Sequence, residues 1–192
     1  MLQTMNPFVL LSFILTPFIL NATVTDTLPP TVHYYIESAR QANGIQKTFP
    51  YDIDLQDTAG KVTNSNLLFK NKKSKPTILL FWLTTCYPCR MELEAIQQAY
   101  PTWKKEVDFR MIAISTDFKD RFPQFTERVR QSNWSFEAYH DKNREFRYVM
   151  PGELNGLPQL FVLDAVGNIT YHKRRYRPGD ENELFEHLKK MK

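Results

Sequence analysis

A chain of 192 residues is long enough for one ordinary domain with a sizeable core and too short for two unless both are small. With 42% hydrophobic and 24% charged residues it sits near the globular average, which excludes a disordered, collagen-like or multi-span membrane class. The formal charge of +4 is mild, and its basic clusters at residues 70–75 and 172–177 have the pattern of solvated loops and strand ends rather than of a nucleic-acid surface.

Residues 8–20 form an apolar stretch with no charge before Asp26. That is the length of a signal-peptide core and short for a membrane span, which needs about 20 apolar residues. Residues 1–22 are therefore expected to be a signal peptide cleaved after Ala22, although the segment ahead of the apolar run lacks Lys and Arg, and a retained anchor is the competing expectation. No cysteine lies near the cleavage site, so a lipoprotein is excluded. Residues 23–48 are expected to be a linker ending in a short amphipathic helix, with Val32, Ile36 and Ala39 at helical spacing and Asn43-Gly44 as its stop. The domain proper should occupy residues 49–192.

It opens with the alternating run Phe49 to Leu55 and the turn-rich Asp57-Thr58-Ala59-Gly60, the pattern of a leading β-hairpin. Thr77-Ile78-Leu79-Leu80-Phe81-Trp82-Leu83 is continuously apolar, as a strand covered on both faces must be. Leu93, Ile96, Tyr100, Trp103 and Val107 then step by three and four along a helix, with Pro101 predicted to kink it near residues 97–101. Residues 109–115 read as a second buried strand, parallel to the first because a helix joins them. Phe118, Phe122, Phe125 and Val129 mark another helix, residues 136–139 a short strand, and residues 159–164 and 168–173 an antiparallel pair. Asp180 with Glu183 is expected to cap a last helix carrying Leu184, Leu188 and Met191 on one side.

Only two cysteines occur, as Cys86-Tyr87-Pro88-Cys89, which excludes a disulfide scaffold tying distant loops. A bridge between them closes almost no loop and would add little stability, so its value lies in opening and closing. Cys86 follows the buried strand and opens the helix, where free N–H groups and the positive end of the helix dipole favour a thiolate nucleophile. Cys89, nearly one turn on, should face inward and act second, and Pro88 stiffens the turn between them. Half of a zinc site is the competing reading, but His33, His140, His172 and His187 show no paired spacing to complete it.

The segment Phe81-Trp82-Leu83-Thr84-Thr85-Cys86-Tyr87-Pro88-Cys89-Arg90-Met91-Glu92-Leu93 resembles the active-site stretch of the thioredoxin superfamily, and is most similar to the exported TlpA-like and ResA-like thiol-disulfide oxidoreductases. The resemblance runs from about Phe49 to the C-terminus and includes Asn155-Gly156-Leu157-Pro158-Gln159, which maps onto the family's cis-proline loop. It implies an α/β thioredoxin-like fold, a central mixed β-sheet flanked by helices with an N-terminal β-hairpin extension. It also implies a redox-active disulfide at Cys86 and Cys89, a cis Leu157–Pro158 bond with Pro158 beside the cysteines, and an active-site carboxylate at Glu92. Leu157, Tyr87 and Pro88 are expected to meet the substrate. Two positions depart from the pattern: Leu80 replaces the buried aspartate of thioredoxins proper, and Thr85 replaces the usual Trp before the first cysteine.

The expected activity is that of a protein dithiol-disulfide oxidoreductase of the periplasm or cell envelope, working without metal or cofactor and mainly as a reductant. Its expected partners are disulfide-containing exported proteins, an apocytochrome c among the candidates, and a thiol donor that re-reduces the pair. Nucleic acid is not expected as a partner, and membrane contact is expected only if the N-terminal segment stays uncleaved. Two alternatives come from other classes. A peroxiredoxin-like peroxidase wants Pro seven and Thr or Ser three residues before its cysteine, where Leu79 and Leu83 stand. A metal-delivery protein would combine the cysteines with a distal histidine such as His140.

Overall fold

The computed structural model describes residues 52–70 and 75–191. The expected signal peptide, linker and amphipathic helix lie outside the described residues, as does most of the 70–75 basic cluster.

Among the described residues the seven strands are β1 (Asp54–Gln56), β2 (Val62–Asn64), β3 (Thr77–Trp82), β4 (Arg110–Ser115), β5 (Glu137–Asp141), β6 (Gln159–Leu163) and β7 (Ile169–Arg174), and the helices are α1 (Ser65–Lys70), α2 (Tyr87–Glu106), α3 (Phe122–Ser132), α4 (Phe146–Val149) and α5 (Asp180–Lys189). They build one mixed sheet in the order β2-β1-β5-β4-β3-β6-β7. The pairs β3–β4 and β4–β5 are parallel, joined through α2 and α3, and every other pairing is antiparallel. The two apolar runs are the centre: every residue of β3 and β4 is buried.

Because successive side chains of a strand point to opposite faces, β3 divides its residues between two cores. Ile78, Leu80 and Trp82 pack with Leu93, Ile96 and Trp103 of α2, Phe125 of α3, and Leu184 and Leu188 of α5. Leu79 and Phe81 pack on the other face with Leu55 of β1, Phe146 of α4, and Met150 and Leu154. The start of β4 is tied to the start of β5 by Arg110, whose guanidinium meets Glu137 at 2.6 Å and donates to the Leu68 carbonyl at 2.9 Å. The leading hairpin is present as β1 and β2, and attaches to β5 through Leu55 and Gln56.

Several elements differ from expectation. Helix α2 carries Pro101 in its interior and keeps helical backbone on both sides of it, since packing of its whole apolar stripe outweighs one missing backbone bond. Phe118 is not on the core face of a helix: a short 3-10 turn covers Lys119–Arg121, α3 starts at Phe122 with Pro123 in its first turn, and Phe118 is left 60% exposed. Proline favours that first turn and restricts the residue before it, which sets the start. Helix α5 begins after Gly179 in left-handed backbone, with no side-chain N-cap. Asp180 instead accepts from the Arg177 N–H, and Glu181 rather than Glu183 reaches back to the Gly179 N–H. Short helices α1 and α4 carry no periodic signal long enough to read from the chain.

Candidate active site

The sheet delivers three parallel strand ends, those of β3, β4 and β5, to one rim. The chain leaves β3 at Trp82 and turns at Leu83–Cys86, where the Cys86 N–H donates to the Leu83 carbonyl at 3.0 Å. Cys86 is the N-cap residue of α2, and its sulfur accepts the Cys89 N–H at 3.3 Å, so one of the free donors of the helix start is aimed at the atom that would carry thiolate charge. Cys86 and Cys89 are joined by a disulfide. Cys86 is half-buried and Cys89 is fully buried in the α2 core. Tyr87 and Pro88 between them are exposed, Tyr87 by 63%, with the Arg90 guanidinium 5.5 Å from its ring centre.

Pro158 is buried, Leu157 is half-buried between the two cores, and the bond joining them is cis. Cys86 and Leu157 both pack against the α2 core, so the loop before β6 and the start of α2 share one side of the sheet. The pairing of β3 with β6 brings the two segments together, with Phe81 opposite Gln159. Leu80, at the position of the thioredoxin aspartate, is a buried core residue.

Glu92 is not a solvated helix charge. It lies on the buried stripe of α2 with Cys89 and Leu93, is 4% exposed, and its Oε2 has no hydrogen-bond partner among the described residues. Its carboxyl is pushed up to about 8, first by burial and then by the negative charges of Asp180 and Glu181, with Lys173 opposing. The group is therefore largely neutral near pH 7 in the disulfide form.

A second buried carboxylate supports the loop before Cys86. Asp117, one residue beyond Thr116 at the end of β4, accepts the Thr84 N–H at 2.8 Å and the Thr84 hydroxyl at 2.9 Å, and the Ser115 hydroxyl at 2.7 Å. His140 of β5 is wholly buried against Phe122 and Phe125, and its Nε2 lies 3.0 Å from the Asp117 carbonyl. It is thereby a partner of the β4 end, and the role considered for it as a distal metal ligand finds no open face. Burial pushes its imidazole below the ordinary value. Asp117 and Thr84 carried no signal in the chain, because 33 residues separate them and only the parallel pairing of β3 and β4 closes that distance.

A buried mixed sheet, a disulfide at the mouth of the helix that follows its central strand, and a cis-proline loop packed against the same core define a thioredoxin-superfamily protein. Comparison with known proteins adds the particular family: the chain belongs to the AhpC/TSA family, whose pattern matches residues 45–172. It is similar to an uncharacterized thioredoxin-like protein from Porphyromonas gingivalis, with 31% identity, a TM-score of 0.64, and coverage of 73% of this chain and 90% of that one. The thiol-disulfide oxidoreductases ResA of Oceanobacillus iheyensis and Bacillus thuringiensis are 26% and 29% identical over 62% and 64% of this chain. The matches span 59% and 66% of those two relatives' own lengths. A putative thiol:disulfide interchange protein DsbE from Chlorobium tepidum shares the fold with a TM-score of 0.59 at 22% identity, over 74% of this chain and 93% of that one.

Proposed function

We propose that the protein is a thiol-disulfide oxidoreductase that reduces disulfides in exported proteins through Cys86 and Cys89. The observation that carries the reading is the unequal placement of one bonded pair: Cys86 half-exposed at a helix start and Cys89 buried behind it. The ResA relatives support it. In the reduced protein the Cys86 thiolate attacks a sulfur of the substrate disulfide, forming a mixed disulfide and expelling one substrate thiolate. Cys89, as thiolate, then attacks Cys86 Sγ, closing the Cys86–Cys89 bond and expelling the second. Two electrons pass to the substrate, whose two thiolates take up protons. Glu92, three residues beyond Cys89 on the same buried stripe, is the carboxyl placed to exchange a proton with Cys89. Leu157 and Pro158 supply the facing wall, and Tyr87 and Pro88 the exposed lip, against which an extended substrate segment would lie.

The reductant direction follows from modest thiolate stabilisation. No histidine stands between the cysteines, and the donor aimed at the Cys86 sulfur is the single N–H of Cys89 at 3.3 Å. The carboxyl of Glu92 does not repel a thiolate as a fixed charge at neutral pH, because burial keeps it largely protonated; it acts through its proton instead. Location in the periplasm or cell envelope rests on the apolar N-terminal segment together with the ResA relatives, and among the described residues no helix is long and apolar enough to cross a membrane. A peroxidase on this fold fares worse, since Leu79 inside β3 and Leu83 after it occupy the positions where that chemistry's pattern has proline and a hydroxyl.

The test is reduction of a disulfide-bonded model protein with dithiothreitol as electron source. Wild type should accelerate it, Cys86→Ser should abolish the acceleration, and Cys89→Ser should accumulate a mixed disulfide on Cys86. Equilibration against glutathione measures direction: a potential near about −120 mV, that of dedicated oxidants, would refute the reductant assignment.

A further inference from the structure

The rim beside the disulfide is polar and basic on the α3 side. A groove of about 450 Å³ runs from Thr84 and Thr85, immediately before Cys86, along α3, where Arg121, Glu127 and Arg128 line it. Glu127 is taken by Arg130 at 2.6 Å, which leaves the groove with arginines in excess. Neither Arg121 nor Arg128 has an acidic partner among the described residues. The N–H of Arg121, which lines the groove, bonds back to the Phe118 carbonyl, and the exposed Phe118 ring carries the guanidinium of Arg144 at 3.9 Å from its centre. Arg144 stands in left-handed backbone, with φ 57°, at the turn after β5, a conformation held at some cost in a non-glycine residue. Its Nε is buried without a hydrogen-bond partner among the described residues. The neighbouring carboxylates are occupied elsewhere: Asp117 by Thr84 and Ser115, Asp141 by the Glu145 and Phe146 N–H groups, and Glu145 by Asn143 and the Asp54 backbone. Asp120 is the one acidic residue of the 3-10 turn, beside Lys119 and Arg121.

From this arrangement we infer that the groove between Thr84-Thr85 and α3, with Arg144 on the Phe118 ring beyond Arg121 as a further cation, docks an acidic segment of the substrate protein, one carrying Asp or Glu close to the disulfide to be reduced. The inference rests on the thiol-disulfide exchange reading and adds the substrate class. Arg121 and Arg128, without carboxylate partners among the described residues, line a groove that reaches Thr85 beside the attacking cysteine, and with Arg144 beyond Arg121 they favour carboxylates on the polypeptide that reaches that sulfur. Because Arg121 is exposed and Arg128 half-exposed, the preference acts through encounter and orientation and is screened by salt.

The test uses two synthetic peptides with the same internal disulfide, one flanked by four Asp and Glu residues and one by the matching Asn and Gln. Reduced full-length protein is mixed with each, and the second-order rate of peptide thiol release is followed at low and at high ionic strength. The acidic peptide should react about fivefold faster at low salt, and the advantage should vanish near 0.5 M salt, an ionic strength at which screening is set to about a few ångströms. The surface double variant Arg121→Gln with Arg128→Gln should lose most of the advantage while its rate on the neutral peptide stays at the wild-type level. Arg144→Gln should lose part of it, and Arg144→Glu should reverse what remains. Equal rates for the two wild-type peptides, or an undiminished advantage in the double variant, overturn the docking proposal alone. Absence of exchange with either peptide overturns it together with the oxidoreductase reading.

Discussion

Replacing Glu92 by Gln should stabilise the oxidised protein at high pH and not at low pH. The folded carboxyl sits at about 8 against an ordinary 4.5, so between those values the unfolded chain has released its proton and the folded protein has kept it. The unfolded state then binds fewer protons, and stability falls as pH rises through that window, levelling off below 4.5 and above 8. At about 1.4 kcal/mol per pH unit, the whole displacement costs roughly 5 kcal/mol at alkaline pH. Glutamine has no proton to lose, so the difference in unfolding free energy between E92Q and wild type should move in favour of E92Q by about 4 kcal/mol between pH 4.5 and pH 8.5. A constant penalty for the unpartnered amide is superimposed at every pH and does not affect this slope. Asp141, also raised by burial, to about 7, contributes in the same direction in both proteins and cancels. Urea unfolding of the oxidised pair at several pH values measures the difference. A gap that stays constant to within about 1 kcal/mol across that range would refute the placement of Glu92 as a buried, proton-holding group.

Three further outcomes follow from the same geometry. Brief alkylation of the reduced protein should label Cys86 well before Cys89, because the first is half-exposed and the second buried; peptide mapping by mass spectrometry reads the order, and equal labelling would reverse the assigned roles. Asp117→Ala removes the shared acceptor of the Thr84 N–H, the Thr84 hydroxyl and the Ser115 hydroxyl, and should cost about 3 kcal/mol in chemical unfolding and change the alkylation rate of Cys86. A loss below about 1 kcal/mol would mean that water replaces the carboxylate there. Leu93→Ala, in the core directly behind the cysteines, should cost about 2–5 kcal/mol in the same assay while leaving the Cys86 labelling rate nearly unchanged.

The cysteine pair and its place at the start of α2 were legible in the chain because they depend on short-range facts. A buried strand must be apolar along its length, a helix must repeat at three and four, and a cysteine pair at the junction of the two has its sulfurs within bonding reach. The local boundaries were less accessible: Phe118 reads as one more apolar step of α3, and only the proline at position 123 and the 3-10 turn before it show why it ends up at the surface. The cap of α5 likewise depends on Gly179 entering left-handed backbone, a choice that several acidic residues in succession do not announce.

By itself the sequence determined the class of fold, the bonded cysteine pair, the cis Leu157–Pro158 bond, and the parallel run of β3 and β4 joined through a helix, since these follow from patterning and from motifs a few residues long. Tertiary structure alone decided what surrounds the sulfurs. Whether Glu92 is a solvated charge or a buried acid depends on α5 and β7 packing over α2, and only that packing removes the water that would hold its pKa near 4.5. Asp117 meets Thr84, and Arg144 meets Phe118, because parallel pairing aligns the ends of β3, β4 and β5. Contacts between residues distant in the chain carry no local periodicity, so they become visible only once the sheet has brought them together.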